Sequence, residues 1–192
     1  MNTVITKSYS LPKTDRAEVM RYAFSRNSTK EIDALLDECL AELPELSCAV
    51  CFTEIDTLRL GSPSLSLNKH LSGCDSVIVF AATLGIAIDR LIARYSKLSP
   101  AKALMLQAIG AERIETLCDK FEDDLTESGY VLCPRFSPGY GDLGLEFQKN
   151  IFAVLDCAKH IGVSISDSFV MSPSKSVTGI IGIKKRIERT DQ

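Results

Sequence analysis

Residues 135–141 read Arg-Phe-Ser-Pro-Gly-Tyr-Gly, and three of these residue types suit recognition of a small molecule. The guanidinium of Arg135 offers a planar fork of donors that fits a carboxylate or a phosphate. Gly139 and Gly141 flank Tyr140. Two glycines let the main chain take conformations closed to other residues and come close to a bound group. Tyr140 adds a ring with a hydroxyl. The stretch reads as a ligand clamp. It reads equally well as a Pro-Gly turn with a surface arginine; a lesser alternative pairs Arg135 with Asp142 or Glu146 as a structural bridge.

Other reactive residue types offer less. Cys48-Ala49-Val50-Cys51 has a redox or metal spacing, but it lies in the apolar run Cys48 to Phe52. That run reads as a strand, in which residues three apart face opposite ways, and no second pair completes a zinc site. Cys39, Cys118 and Cys157 fall among apolar helical residues, where a reduced cysteine acts as a small hydrophobe. His70 and His160 have no ligand spacing, so no metal site is expected. Thr83-Leu84-Gly85, at a strand-to-helix turn, can present helix-start amides to a ligand. Ser174 and Ser176 sit in a turn, where hydroxyls commonly satisfy neighbouring backbone.

The chain has 192 residues, 45% apolar and 24% charged, with a net charge of −3. That is enough for one substantial domain, and it carries no electrostatic footprint for nucleic acid. The basic cluster Lys184-Lys185-Arg186 stands next to Glu188 and Asp191 and reads as a solvated terminus. No apolar run is long enough to cross a bilayer, and the N-terminus lacks a basic-then-apolar signal. A cytoplasmic protein with reduced cysteines is the expectation, with no nucleic-acid or membrane partner.

The elements that must position these residues follow from periodicity. Thr3 to Leu11 alternates as a strand, and Asp15 to Phe24 is helical with Val19, Tyr22 and Ala23 on one face. Ser28 or Thr29 caps a helix with an apolar stripe of Ile32, Leu35, Leu36, Cys39 and Leu40, ended by Pro44. Cys48 to Ile55 is a strand, with a further short strand near Leu58 and a loop at Gly61-Ser62-Pro63. Ser76 to Ala82 is a continuous apolar run, as in a strand covered on both faces, and a helix follows through Tyr95. Ser99-Pro100 opens a long helix to about Leu125, buried over Ala101 to Ile109. Leu145 to His160 forms an amphipathic helix with Phe147, Ile151, Val154, Leu155 and Ala158 inward, stopped by Gly162. Strands Ser164 to Met171 and Ser176 to Ile183 close the chain, with Phe169 and Met171 in the core. Together these predict one α+β domain over residues 1–192, with a mixed or antiparallel sheet and several helices.

Four segments in order resemble one known family. They are the Arg135 to Tyr140 loop, the helix after it, Asp167-Ser168-Phe169-Val170-Met171-Ser172-Pro173, and Ser176-Val177-Thr178-Gly179. This pattern resembles the activation domain of cobalamin-dependent methionine synthase, which has an Arg-x-x-x-Gly-Tyr loop, a Ser-Phe-x-Met-x-Pro segment and a Ser-Val-x-Gly strand. Asp75 to Gly85 and the long helix with Glu115 are also similar. Residues 75–183 form the family-like core, and residues 1–73 match no motif.

The resemblance implies binding of S-adenosylmethionine and presentation of its methyl to cobalamin carried by a partner. That partner would be a methionine synthase lacking its own activation module, with a flavodoxin-like electron donor. The alternatives are a docking module whose pocket has decayed and a methyltransferase for another substrate. As the resemblance implies, Arg135 pairs with the ligand's carboxylate and Glu115 with its ammonium, and Gly139, Tyr140 and Gly141 bond its edge. Read from its neighbours Glu112 and Arg113 instead, Glu115 belongs to a surface ion-pair face. Placement is then the protein's main contribution, with no catalytic acid or base required. Two departures from the family stand out. Gly141 replaces a proline, which implies a looser loop. Ile183 leads into a charged tail where the family has a further hairpin, which implies a missing pocket wall, with either weak affinity for the ligand or a wall supplied by the partner.

Overall fold

The computed structural model describes residues 3–23, 29–61 and 63–186. Five strands form one antiparallel sheet: β1 (Ile5–Ser8), β2 (Ala49–Asp56), β3 (Ser76–Thr83), β4 (Tyr130–Leu132) and β7 (Ser176–Arg186). Their spatial order is β1-β2-β3-β7-β4, which puts β3 at the centre. A separate two-stranded ribbon pairs β5 (Ser164–Ile165) with β6 (Met171–Ser172). The α+β class holds, and every strand pair is antiparallel.

The apolar run of β3 is legible in its two faces. Ile78, Phe80 and Ala82 enter one core, while Val77, Val79 and Ala81 enter the other. The first core is closed by α1 (Arg16–Tyr22), α2 (Lys30–Ala41), α5 (Ala87–Leu98) and the 28-residue α6 (Pro100–Glu127). Phe121 of α6 packs its ring 5.2 Å from Phe80 and 5.0 Å from Phe52. The second core is closed by α3 (Thr57–Leu60), α4 (Leu65–His70), α7 (Gln148–Leu155) and α8 (Cys157–Ile161). Cys48 and Cys51 fall into different cores, as expected of residues three apart near and in a strand. Cys39, Cys118 and Cys157 are buried.

Local chemistry sets the helix starts. The Asp15 carboxylate accepts from the Ala17 and Glu18 amides, and Thr29 caps α2 through the Ile32 amide. Ser28 and Phe24 lie outside the described residues. Ser99 caps α6 with Pro100 in its first turn, where a missing amide hydrogen costs nothing.

Several expectations need correction. The strand expected near Leu58 is the helical turn α3, because Asp56 accepts from the Leu58 amide and bends the chain as it leaves β2. Leu58 itself is 90% exposed. The buried stretch of α6 lies further along than expected, from Met105 to Cys118, and Leu104 faces solvent. Leu145 to His160 is not one helix. A 3₁₀ turn at Leu145–Phe147 leads into α7, and Asp156 at φ 47° separates α7 from α8, so Val154 and Ala158 turn outward. Ser164 to Met171 is broken by a turn in which Phe169 takes φ 62°. Phe169 and Met171 are therefore half-buried, not core, and Lys149 Nζ lies 5.1 Å from the Phe169 ring centre.

Candidate functional site

The site is built where α6, the 133–141 segment and the start of β7 meet. Three carboxylates, Glu115, Asp119 and Glu122, stand at i, i+4 and i+7 on α6 and share one face. The chain from β4 then runs along β7. Cys133 N donates to Gly182 O at 2.8 Å, while Phe136 N and Ile180 N exchange bonds at 2.9 and 2.8 Å. His70 Nε2 lies 2.7 Å from Pro134 O and its ring stacks at 5.3 Å from Phe136. These contacts fix the backbone on both sides of Arg135.

Arg135 points at the carboxylate face. Its Nη2 meets Asp119 Oδ1 at 2.8 Å and Glu115 Oε2 at 3.3 Å, and its Nε meets Glu122 Oε1 at 2.6 Å. Among the described residues no carboxylate contacts Nη1. Neither Asp142 nor Glu146 is its partner, contrary to one expectation. Burial raises the Glu122 carboxyl above its ordinary value; Arg135 opposes that shift, while Asp119, Asp123 and Glu115 add to it. Behind the arginine, burial pushes the Cys118 thiol up to about 12. Glu112 and Arg113, expected on the surface, are buried and bonded to each other. Arg113 also donates to Pro12 O at 2.5 Å, so this pair anchors the N-terminal segment to α6.

Past Phe136 the chain leaves the sheet. Tyr140 N donates to Ser137 O, Leu143 N to Tyr140 O, and Gly139 N to Leu143 O at 2.7 Å. Gly139 and Gly141 take φ 98° and 57°. A Cβ on Gly141 would lie 2.8 Å from Ser66 Oγ. Asp142 accepts from Ser64 Oγ at 2.5 Å and from the Leu65 and Ser66 amides at 2.8 and 3.0 Å, so it caps α4. The Ser64 hydroxyl and the two amides hold its carboxyl well below the usual range. Glycine is what this tied loop requires at residue 141, since a proline ring fixes φ near −65°.

Glu115, Arg135, Tyr140, Gln148, Met171 and Thr178 line one cavity of about 420 Å³, together with Ser137, Pro138 and Val177. That volume is within the range of small-molecule sites. Three of the five residues singled out in the sequence meet here: Arg135, Tyr140 and Glu115. Gly139 and Gly141 shape the loop without lining the cavity. Reading the sequence alone missed Asp119, Glu122, Gln148 and Thr178; the i, i+4, i+7 acid spacing on α6 was the available signal for the first two. Of the amides after Thr83, two are already taken: Leu84 N donates to Lys175 O and Gly85 N to Thr83 Oγ1. Ser174 holds Asp89 through its amide and hydroxyl, and the Ser176 hydroxyl donates to Thr83 Oγ1, so these turn hydroxyls meet side chains. A larger groove, about 1030 Å³, runs along Ser8–Lys13 and Leu43–Ala49. The buried charge in its wall, Arg113, already donates to Pro12 O, Lys13 O and Glu112, so the groove offers less to a polar ligand.

No helix among the described residues is long and apolar enough to cross a membrane. Comparison with curated proteins gives no match. Comparison with solved structures finds the crystal structure of the MetH reactivation domain bound to AdoHcy, with a TM-score of 0.66 and 15% identity. The match covers 97% of this chain and 80% of that one. In sequence, residues 120–188 match the family model described as vitamin B12 dependent methionine synthase, activation domain. Residues 120–188 are thus similar in sequence to that activation domain, and the chain as a whole is similar in fold to the reactivation domain.

Proposed function

We propose that this chain binds S-adenosylmethionine in the cavity beneath the Arg135 loop and holds its methyl toward cobalamin on a methionine synthase partner, supporting reductive methylation. The observation that carries the reading is the convergence of Arg135, Glu115 and Tyr140 on one cavity, within the segment and fold matched to the activation domain. The solved relative bound to AdoHcy supports the same ligand class.

The electrostatics suit this ligand. One guanidinium among three carboxylates leaves the cluster formally at −2 (+1 − 3). S-adenosylmethionine carries a sulfonium, an ammonium and a carboxylate, formally +1, so the cluster draws it in. Its amino-acid end enters between Arg135 and Glu115. The carboxylate takes Nη1 of Arg135, and the ammonium replaces the 3.3 Å contact to Glu115, while Asp119 and Glu122 keep the guanidinium in place. Tyr140, exposed at the rim, covers the ligand with its ring. Cobalamin carried by the partner, once reduced by one electron from a flavodoxin-like donor, would supply the acceptor for the methyl group, and the sulfonium would become a neutral thioether as the methyl leaves. The chain's own contribution is position, since methyl transfer of this kind needs no protein acid or base. The partner on this reading is a cobalamin-binding methionine synthase without its own activation domain.

Calorimetric titration of S-adenosylmethionine into the purified chain tests the reading. Saturable binding is expected, weakened about tenfold by Glu115→Gln, which keeps the size and removes the charge. No binding, with and without a cobalamin-loaded partner, refutes it.

A further inference from the structure

Two cysteines that the site does not use meet beside the segment that carries Arg135. Cys74 Sγ and Cys133 Sγ lie 3.5 Å apart, although 59 residues separate them along the chain. The backbone holds both in place. Cys74 N donates to Leu71 O at 3.0 Å, and Cys74 O accepts from Thr57 Oγ1 at 2.9 Å. Cys133 N donates to Gly182 O, which ties it to β7. Gly182 also makes room for the sulfurs: a Cβ there would lie 2.8 Å from Cys74 Sγ and 3.3 Å from Cys133 Sγ. The pair sits one layer below the surface. Cys74 and Cys133 are 8% and 4% exposed, and their chain neighbours Gly73, Asp75 and Pro134 face solvent. Cys51 and Cys157 also share a hydrogen bond, but both are sealed inside the second core.

We propose that Cys74 and Cys133 are a modification site: a peroxide closes them to a disulfide that locks the Arg135 segment to the turn before β3. A disulfide holds its sulfurs about 2.05 Å apart, so this pair has about 1.5 Å to travel. One sulfur, as its thiolate, attacks the O–O bond of the peroxide and becomes a sulfenic acid as hydroxide leaves. The other sulfur then displaces that oxygen and forms the S–S bond. In sum two thiols lose two hydrogens and two electrons, and hydrogen peroxide leaves as two waters. Burial, and then the contact with Cys133, push the Cys74 thiol up to about 11, so Cys74 rests as a thiol until an oxidant arrives. Arg135 stands two residues beyond Cys133. The bridge therefore restrains the backbone from which the guanidinium reaches α6, and local opening of that segment becomes rarer. Reduction by an external thiol reverses the lock by exchange. The inference is independent of which ligand fills the cavity.

The test treats the reduced full chain with a small molar excess of hydrogen peroxide. The intact mass is expected to fall by about 2 Da, the two hydrogens lost, and peptide mapping to join Cys74 to Cys133. The bridged chain is expected to melt about 5–15 °C above the reduced one. The amides of Cys133, Arg135 and Phe136 are expected to exchange more slowly once the bridge has formed. Dithiothreitol is expected to restore the mass, the Tm and the exchange rates. In Cys133→Ala, or in Cys74→Ala where the first variant does not fold, peroxide is expected to leave the Tm unchanged. An unchanged mass, a bridge between other cysteines, or sulfinic acid at Cys74 or Cys133 in place of a bridge overturns the inference. So does a bridged chain that melts no higher, or whose 133–136 amides exchange no more slowly, than the reduced one.

Discussion

Replacing Arg135 by methionine keeps the length of its stem and removes the charge shared by Glu115, Asp119 and Glu122. Leaving a fully buried charge without its partner costs about 3–5 kcal/mol. Here the side chains of Arg135 and Glu122 are 24% and 26% exposed, whereas Glu115 and Asp119 are 46% and 68% exposed. Water screens the latter two, so Glu122 dominates and the expected loss is about 2 kcal/mol at pH 7. For a chain of this size that is a fall in Tm of about 4–8 °C. The loss depends on pH, and its sign follows from Glu122. Burial already raises that carboxyl in the folded protein, against the pull of Arg135. Removing the guanidinium raises it further. A carboxyl raised on folding contributes stability below its unfolded pKa, about 4.3, and loses it as pH rises through the folded value. The deficit of the variant is therefore smallest at pH 4.5 and grows as pH rises. Urea unfolding followed by circular dichroism at pH 4.5, 5.5, 6.5 and 7.5 measures it. A deficit that is constant with pH, or larger at pH 4.5, refutes the assignment of Glu122 as the carboxylate most dependent on Arg135.

Two further predictions concern the frame of the site. Gly141→Pro is expected to destabilise the chain by about 3 kcal/mol or more, because φ 57° is closed to proline. Any added Cβ also meets Ser66. A urea midpoint equal to that of the parent protein contradicts this. Arg113→Met, which leaves buried Glu112 without its cation, is expected to cost about 3–5 kcal/mol and to speed amide exchange in β1; unchanged exchange there would show that Arg113 does not anchor the N-terminal segment.

How far the sequence could be read depended on the range of the interaction concerned. The β3 run, the cap at Thr29 and the Ser99-Pro100 start of α6 are decided by neighbours a few residues apart, and they are where the sequence pattern places them. The breaks were harder. Nothing in Leu145 to His160 marks Asp156 as left-handed, because φ 47° is uncommon for a non-glycine residue and the apolar periodicity runs past it. The helical turn at Leu58 hid behind an apolar pair, Leu58 and Leu60, although Asp56 was available as its cap. The N-terminal strands β1 and β2 are visible as alternation, but their place beside β3 is a matter of long-range pairing that periodicity does not encode.

The same division runs through the site. Arg135 and Tyr140 stand out by residue type, yet Arg135's partners lie 13–20 residues upstream on a helix whose acids look like an ordinary solvated face. Asp142, the near acid, is taken by the amides of α4, which are 76 and 77 residues away. Local proximity therefore suggested the wrong pair, and the fold replaced it. Pro138 shows the reverse. Its effect as a turn residue is local and legible, but the consequence is remote: with no amide hydrogen to give the ladder, it ends the pairing of residues 133–136 along β7. The loop that carries the arginine and the sheet edge that faces it are thus set by the same short stretch of chain. Pro138 and Thr178 both line the cavity, so pairing carried past residue 136 would narrow it.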